Sequence, residues 1–335
     1  MYNGIIVVNK DSGMSSHDVV YQLRRMTGQK KIGHMGTLDP QARGVLPVCM
    51  GSATRLSDLF LKADKQYRAV LRLGIVTDTQ DMTGRVLEEN DAIPGEDTLK
   101  NVIGSFTGEI LQVPPMYSAV KHQGKKLYQL ARKGVEIERE PRKIMIREIL
   151  IEKIEGPLVT MLVTCSKGTY IRTLCADIGE KAGCGGCMES LVRTRSGPFR
   201  IEGSMTLSEI EKPICGRDDP SEQAGAEERI RSGLLTSDSF FRALSGYCTV
   251  PEDDYLLWNG NPLLIRDMKR MEDGAAFGNS DQDHDGFDPL LIELPDGLDA
   301  AGAIRMYDSA GTFWGVYEKA ARKGLYKPWK MFPPT

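Results

Sequence analysis

Strand-like and helix-like segments alternate irregularly along the first two thirds of the chain, and this alternation most constrains the fold. Residues 66–74 alternate between apolar and polar positions as in a strand, whereas apolar residues over 171–178 recur at helical spacing. The segments 143–154 and 157–165 predict two strands joined by a tight turn. Because no regular strand–helix–strand rhythm is present, we expect an α+β fold with a mixed, largely antiparallel sheet and flanking helices.

The chain is long enough for a second, smaller domain. It has 335 residues, of which 41% are hydrophobic, so it can bury a full core. Residues 213–248 are rich in Asp, Glu, Ser, Gly and Ala, which is typical of a linker containing one helix. We therefore predict a first domain over 1–235 and a small β-rich domain over 248–335. The second domain is expected to include a hairpin at 303–318 and an acidic insertion at about 267–299.

The charge is distributed unevenly. The formal net charge is −3, but acidic residues exceed basic ones over 211–299, whereas basic residues are in excess before and after that stretch. A polyanionic partner would face the basic parts, although a solvated acidic surface explains the same pattern. The chain has no run of about 18 apolar residues and begins with a strand-like segment, so we expect a soluble, cytoplasmic protein without a membrane partner.

Two segments resemble metal sites incompletely. Cys184 and Cys187 have zinc-knuckle spacing, but no second pair or nearby histidine completes four ligands, and a Gly-rich turn explains them. The odd total of seven cysteines favours reduced thiols. Asp281, Asp283 and Asp285 resemble the start of a calcium loop, whose final glutamate is missing at the required position. We expect an acidic surface insertion there.

The segment Gly33–Val48 places one carboxylate in a Gly- and Pro-rich loop. Asp39 follows His34 closely and precedes a short apolar strand at 45–50. Loops of this kind on a packed scaffold often carry functional groups. However, an aspartate before a proline is more often a turn former, so the loop alone leaves both interpretations open.

The loop matches the pattern G-H-x-G-T-L-D-P-x-A-x-G-V-L-P-V, in which Met35 replaces the usual small residue. Four other segments fit the same family in order: Lys10–Ser16, Asp64–Ala69, Ser166–Leu174 and Met188–Gly197. Together they resemble the tRNA pseudouridine-55 synthases of the TruB type over about residues 4–210. Residues 256–263 and 327–332 resemble the PUA-type RNA-binding module that is common at the end of these enzymes.

The resemblance implies a function and a set of site residues. It implies a pseudouridine-synthase-type fold. It also implies an enzyme that flips the uridine at position 55 out of the tRNA T-loop and converts it to pseudouridine. Asp39, Tyr67 and Arg172 would be catalytic, and His34, Tyr67, Tyr170 and Leu191 would contact the substrate. Either attack of Asp39 on C1′ or removal of a sugar proton fits a carboxylate. No cofactor, no metal and no obligatory protein partner are expected.

Four alternatives remain open. The chain could be a non-catalytic protein that binds or folds tRNA, or a guide-dependent subunit of a ribonucleoprotein, which shares the Asp39 motif. Arg172 lies off the apolar stripe of its helix, so an ordinary solvated arginine is the alternative to an Asp39 partner. Residues 114–134 interleave aromatic and basic side chains, which predicts either contacts with RNA phosphates or a solvated lysine-rich face.

Overall fold

The computed structural model describes residues 1–131, 133–211, 222–271, 286–287, 298 and 301–334. The chain divides into two compact units. The first unit contains Met1–Pro40, Val45–Leu61 and Gly197–Thr335, and the second contains Gln41–Gly44 and Lys62–Ser196. The domain limits expected from sequence, 1–235 and 248–335, remain predictions. Asp281, Asp283 and Asp285 lie outside the described residues, as does most of the predicted acidic insertion.

The elements among the described residues are strands, α-helices and short 3₁₀ helices. The strands are β1 (Gly4–Lys10), β2 (Ile32–His34), β3 (Arg43–Met50), β4 (Lys65–Leu73), β5 (Ile75–Thr77), β6 (Val86–Glu89), β7 (Gly108–Gln112), β8 (Lys121–His122), β9 (Lys125–Lys126), β10 (Arg142–Glu155), β11 (Leu158–Cys165), β12 (Gly186–Ser196), β13 (Phe199–Arg200), β14 (Leu234–Leu235), β15 (Ser245–Cys248), β16 (Leu263–Leu264), β17 (Lys269–Arg270), β18 (Ile304–Tyr307), β19 (Phe313–Lys319) and β20 (Leu325–Met331). The α-helices are α1 (Ser16–Thr27), α2 (Ser57–Phe60), α3 (Glu96–Gly104), α4 (Leu127–Ala131), α5 (Ile171–Lys181), α6 (Leu207–Glu211), α7 (Glu222–Ser232) and α8 (Asp254–Trp258). The 3₁₀ helices are Gly51–Leu56, Ile201–Gly203, Ser237–Phe241, Pro251–Asp253 and Ile265–Asp267.

The sequence accounts for both ends of helix α1. Ser15 caps the first turn through a reciprocal pair of hydrogen bonds with Asp18, which satisfies two backbone donors that the helix leaves open. The helix ends at Gly28, whose φ of 64° suits a residue without a side chain. Val19 and Leu23 are buried, so this face of the helix packs against the rest of the first unit. After β3 the chain forms the 3₁₀ turn Gly51–Leu56 and then the short α2.

The first unit builds its sheet around β1, which lies between β14 and β3. Strand β2 pairs antiparallel with β3 and brings His34 opposite Val48. Met35, the residue that departs from the family pattern, is buried in the apolar core of this unit, in a cluster that also includes Phe199. Its backbone N–H donates to the carbonyl of Pro47 at 2.9 Å. The larger side chain therefore serves as a core residue.

The expectation that residues 213–248 form a linker is wrong for the part that follows α7. Strand β14 pairs with β1, and Leu235 is buried. Phe240 and Phe241 are also buried in the apolar core of the first unit, where Phe240 makes an edge-on contact with Phe199. Polar composition predicted a linker, but these few large apolar side chains decide the packing because each buries a large area.

The second unit contains an antiparallel array of strands in the order β12-β4-β11-β10-β7. Strands β10 and β11 form the predicted hairpin, and β4 pairs with both β11 and β12. Helix α5 packs against β12 and β4, and the predicted apolar stripe that begins at Ile171 is buried. The largely antiparallel α+β architecture predicted from sequence is thus confirmed.

One short parallel contact in this unit requires glycine. Residues 43–44 run parallel to Val192 and Arg193 of β12. Gly44 has φ of 102°, and a Cβ placed on it would lie 2.2 Å from the Arg193 carbonyl oxygen. Since both the dihedral angle and the space exclude a side chain, the glycine of the Asp39 motif is needed for this strand contact.

The C-terminal part of the first unit is β-rich, as predicted. Its six strands have the order β16-β20-β19-β18-β15-β17. The hairpin predicted over 303–318 is formed by β18 and β19, which pair antiparallel. A separate apolar cluster, which includes Leu257 and Tyr317, fills this module. Among the described residues, no helix has both the length and the apolar character needed to cross a membrane.

Candidate active site

The backbone on both sides of Asp39 is held by hydrogen bonds within the first unit. The N–H of Leu38 donates to Ser16 Oγ at 2.9 Å, and this hydroxyl lies 3.2 Å from the Leu38 carbonyl oxygen. The Pro40 carbonyl accepts from the N–H of Gly13 at 2.9 Å. The Asp39 side chain itself is partly exposed. The loop is therefore an ordered support that presents a carboxylate.

Lys10 adds a third anchor to this loop. It is fully buried, and its Nζ donates to the carbonyls of Asp11 at 2.8 Å, Met14 at 2.8 Å and Pro40 at 3.1 Å. A buried ammonium group requires such acceptors, because loss of hydration is costly. The lysine of the opening motif thus joins the turn after β1 to the residue next to Asp39.

His34 ends β2 and lies beside a second histidine. Its ring contacts that of His17 edge-on, with the centroids 5.3 Å apart and the planes at 72°. His17 belongs to the first turn of α1. The two rings are held by the secondary structure that also supports the Asp39 loop.

Tyr67 and Leu191 share one face of the sheet in the second unit. Tyr67 pairs with Arg193 across β4 and β12, and Leu191 pairs with Ala69, the next residue of β4 on the same face. Tyr67 and Leu191 are therefore diagonal neighbours, at about 7–8 Å in such a ladder. Leu191 is buried and Tyr67 is partly buried. The structure thus places an aromatic ring and an apolar side chain next to each other.

Arg172 is buried, which corrects the alternative of a solvated helix arginine. Only 6% of the residue is exposed. Its Nη2 donates to the Tyr117 carbonyl at 2.9 Å, and its Nη1 donates to the Thr79 carbonyl at 3.3 Å and to Asp81 Oδ2 at 3.4 Å. The guanidinium is fixed by groups from two loops, although helical periodicity placed it off the apolar stripe.

Asp81 is the residue of this site that sequence reasoning missed. Its Oδ1 accepts from Thr79 Oγ1 at 2.7 Å, the Thr83 N–H at 3.0 Å and Thr83 Oγ1 at 2.5 Å. These bonds leave Oδ2 to face Arg172. The signal in the sequence is the concentration of Thr and Asp over 77–83, residue types that form local side-chain-to-backbone hydrogen bonds.

Helix α5 also holds this loop through a second residue. Thr173 Oγ1 donates to Gln80 Oε1 at 2.8 Å. Gln80 has φ of 63°, a strained conformation for a residue with a side chain. Adjacent residues of the helix therefore fix the loop that orients the Asp81 carboxylate.

Tyr170 precedes α5 and is oriented by Gln112, a second residue that sequence reasoning missed. The Gln112 amide is buried and accepts from the Tyr170 N–H at 2.8 Å through Oε1. Its Nε2 donates to the Tyr170 carbonyl at 3.1 Å. This pair of hydrogen bonds between the Gln112 side chain and the Tyr170 backbone fixes the position at which α5 begins. Arg172 follows two residues later.

The predicted site residues divide between the two units. Tyr67, Tyr170, Arg172 and Leu191 belong to the second unit, and His34 and Asp39 belong to the first. Within the second unit, Tyr67 and Leu191 are neighbours on the sheet, and Tyr170 and Arg172 lie at the start of α5. The approach of Asp39 to Arg172 remains a prediction.

The two cysteines considered as a metal site lie in the turn after α5 and in the strand that follows it. Cys184 follows Gly183 in the turn after α5, and Cys187 lies in β12. Both are buried free thiols, and burial raises the pKa of Cys187 to about 11. Within the described ranges, no group of three or more His, Cys, Asp or Glu side chains is arranged to hold a metal ion.

The chain matches known family models and named proteins over most of its length. Residues 24–171 match the TruB family pseudouridylate synthase N-terminal domain, and residues 172–241 match the tRNA pseudouridylate synthase B C-terminal domain. A protein named tRNA pseudouridine synthase B from Lachnoclostridium phytofermentans is 44% identical over 98% of this chain and 99% of its own. The protein of that name from Clostridium tetani is 46% identical over 81% of this chain and 88% of its own.

Solved structures share the fold at lower identity. A chain in a Cbf5-Nop10-Gar1 complex has a TM-score of 0.63 and 26% identity, over 99% of this chain and 85% of that one. A chain of an H/ACA RNP bound to a substrate RNA containing 2′-deoxyuridine also has a TM-score of 0.63, with 22% identity over 99% of this chain and 85% of that one. Given the domain matches and the identity over nearly the whole sequence, the chain belongs to the TruB family of pseudouridylate synthases.

Proposed function

We propose that this protein is an enzyme that converts the uridine at position 55 in the T-loop of tRNA to pseudouridine. One observation carries the proposal. The chain is similar over 98% of its length to a protein named tRNA pseudouridine synthase B, and it carries Asp39, Tyr67 and Arg172 in the motifs by which it resembles the family. A degenerate RNA-binding copy would be free to lose them.

The reaction balances without an added reagent. The N1–C1′ bond of the uridine breaks, the base turns, and a bond forms between C5 and C1′. The proton on C5 leaves and N1 gains one, so nothing is oxidised or reduced. The protein has to expose the nucleotide, stabilise the reacting sugar carbon and retain the base while it turns.

Asp39 is the group that we assign to the sugar. A carboxylate suits an electron-poor sugar carbon, either as a nucleophile at C1′ or as a base toward a sugar proton. The ordered backbone around Asp39 supports this assignment, because Leu38 and Pro40 are both anchored. A carboxylate in a closed pocket also needs a nearby cation to remain ionised. We assign that role to Arg172, through a charge-assisted hydrogen bond.

Tyr67 and Leu191 are assigned to the base. An extruded uracil needs a flat apolar surface, and an aromatic ring supplies one by stacking. Tyr67 offers this ring, and its diagonal neighbour Leu191 supplies an apolar wall. Tyr170 completes the substrate contacts, and His34 takes the space that the flipped base leaves in the RNA.

The substrate is assigned as free tRNA. Residues 114–134 contain the small hairpin of β8 and β9 followed by α4, and we assign this segment to the RNA backbone. It is joined to the proposed site, because the Tyr117 carbonyl accepts from Arg172. We propose that no protein partner is required, although the solved relative described above is part of a complex with other proteins.

The test uses purified protein alone with an unmodified tRNA transcript and a matched transcript that carries cytidine at position 55. Pseudouridine should form at position 55 of the first transcript and nowhere in the second. If the wild-type protein binds the transcript but forms no pseudouridine, the enzyme assignment is wrong. Product that requires an added guide RNA and partner proteins would instead support the guide-dependent alternative.

A further inference from the structure

A cavity separate from the Asp39 loop opens on the first unit. It has a volume of about 470 Å³. Its walls come from the start of the chain, the end of α1 and helix α7. The lining residues are Met1, Tyr2, Thr27, Gly28, Gln29, Lys30, Lys31, Glu227 and Arg231.

Gln29 is one of the residues that line this cavity. Its side chain is buried, accepts from the Tyr2 N–H at 2.8 Å, and donates to the Tyr2 carbonyl at 2.9 Å. The first residues of the chain are therefore fastened to the end of α1. Because Gln29 and the Tyr2 backbone already hold each other in place, the cavity is preorganised. A ligand would therefore lose little free energy in ordering these residues.

The charge of the lining is mainly positive. Lys30, Lys31 and Arg231 supply cations, and Glu227 is the one carboxylate among the lining residues. The Arg231 guanidinium lies 5.1 Å from the centre of the Tyr2 ring, which holds it at the wall. Within the described parts of the chain, none of the three cations forms an ion pair at 4.0 Å or less.

Tyr2 places a buried hydroxyl beside Glu227 and Arg231. The residue is 6% exposed, and its hydroxyl makes no hydrogen bond of acceptable distance and angle to the described residues. Burial, and then the Glu227 carboxylate, raise the pKa of Tyr2 against the opposing effect of Arg231, so the hydroxyl keeps its proton at neutral pH. A buried donor of this kind is costly unless a ligand accepts its hydrogen bond.

We propose that this pocket binds a phosphate group, with Lys30, Lys31 and Arg231 supplying charge and the Tyr2 hydroxyl donating a hydrogen bond. We assign this phosphate group to the backbone of the RNA substrate, an assignment that rests on the proposed function. Lys31 directly precedes β2, which ends at His34. A strand rises about 3.3 Å per residue, so these two residues lie about 10 Å apart. Nucleic-acid strands carry charges at a finer spacing.

The test compares three variants with the wild type. The double variant Lys31→Gln/Arg231→Gln removes charge, Tyr2→Phe removes only the donor, and Arg25→Gln is the control. Arg25 is on α1, pairs with Glu211 at 3.6 Å and does not line the pocket. The dissociation constant of a T-arm RNA is measured over a range of salt concentrations, and thermal unfolding checks that each variant is folded.

The double variant should weaken RNA binding about three- to ten-fold and reduce the slope of log Kd against log salt by about one per lost phosphate contact. Tyr2→Phe should weaken binding less and leave the slope unchanged, and the control should match the wild type. If RNA binding is unchanged but inorganic phosphate binds the wild type and not the double variant, the site stands with a free phosphate compound as its source. If both ligands bind the double variant as they bind the wild type, the proposal is overturned.

Pseudouridine formation is measured for the wild type and the double variant on the same RNA. This readout separates the two proposals. Loss of the proposed function would appear as a wild type without product, whereas failure of the phosphate site would leave product and affinity both unchanged.

Discussion

Arg172 and Asp81 form a buried ion pair in the second unit. Nη1 of the arginine lies 3.4 Å from Oδ2 of the aspartate, and 7% and 13% of the two side chains are exposed. The other carboxylate oxygen is occupied by Thr79 and Thr83. The pair therefore fixes the direction of the guanidinium before any substrate arrives.

We predict that Asp81→Asn lowers kcat about 100-fold, the scale expected when a reacting group is misplaced by an ångström. KM for tRNA should change little, because Asp81 is assigned a positioning role through Arg172. Steady-state kinetics measure the two constants separately. Asp78→Asn is the matched control, since Asp78 is exposed and accepts from the Arg85 N–H in the same loop. An equal loss in both variants would contradict the role of Asp81.

The burial of Arg172 illustrates what sequence could not predict. The stripe of α5 is a local property, and it was predicted correctly from Ile171 to Ile178. The partners of Arg172 come from loops 55 to 93 residues away along the chain. Periodicity reports which side of a helix is apolar, but it contains no information on which loop covers the other side.

Tyr67 is predicted to act by stacking. Tyr67→Phe retains the ring and should bind T-arm RNA with nearly unchanged affinity, whereas Tyr67→Ala should weaken binding by about 1–3 kcal/mol. Equilibrium binding of the RNA distinguishes the two variants. Tyr21→Ala is the control, because Tyr21 is an exposed tyrosine of α1. If Tyr67→Phe weakens binding as much as Tyr67→Ala, the hydroxyl carries the interaction instead.

Lys10 is predicted to stabilise the Asp39 loop. Lys10→Met leaves the carbonyls of Asp11, Met14 and Pro40 without a buried donor, so unfolding should become easier by about 2–4 kcal/mol. Denaturant unfolding measures this change, and kcat should fall as well. The exposed Lys100→Met, which breaks only an ion pair with Glu96, is the control and should unfold like the wild type. Unchanged stability in Lys10→Met would contradict the prediction.

Asp177 makes stability depend on pH. Burial and then Glu180 raise the pKa of Asp177 to about 6, from 3.8. Between these pH values the folded state binds more protons than the unfolded state, so this residue's contribution to stability falls as pH rises from about 4 to 6. Asp177→Asn removes that cost. We expect the variant to be more stable than the wild type at pH 7, by a margin on the order of 1–3 kcal/mol.

The difference between Asp177→Asn and the wild type should shrink as pH falls from about 6 to below 4, because the carboxyl group becomes protonated first in the folded state and then in the unfolded state as well. Thermal unfolding of both proteins across pH 3.5–7.5 measures it. A constant difference at all pH values would show that packing, and not ionisation, distinguishes the two side chains.

Sequence reasoning was strong where local patterns dominate and weaker where distant segments meet. The capped start of α1 and the hairpin of β10 and β11 follow from residues that are neighbours in the chain. In contrast, Phe240 and Phe241 lie within a polar segment, and their burial depends on a core formed by residues from several parts of the first unit. Met35 is similar, because its side chain fits a core that the motif does not describe.

The central claim is that Asp39 is the essential group for converting uridine 55, and single-turnover kinetics with saturating enzyme test it most directly. Asp39→Asn preserves the size of the side chain and removes its charge, so tRNA should still bind with near wild-type affinity. The rate of pseudouridine formation should fall by at least about 10⁴-fold. Product formation by Asp39→Asn at a rate within ten-fold of the wild type, on a transcript that it binds normally, would contradict the account.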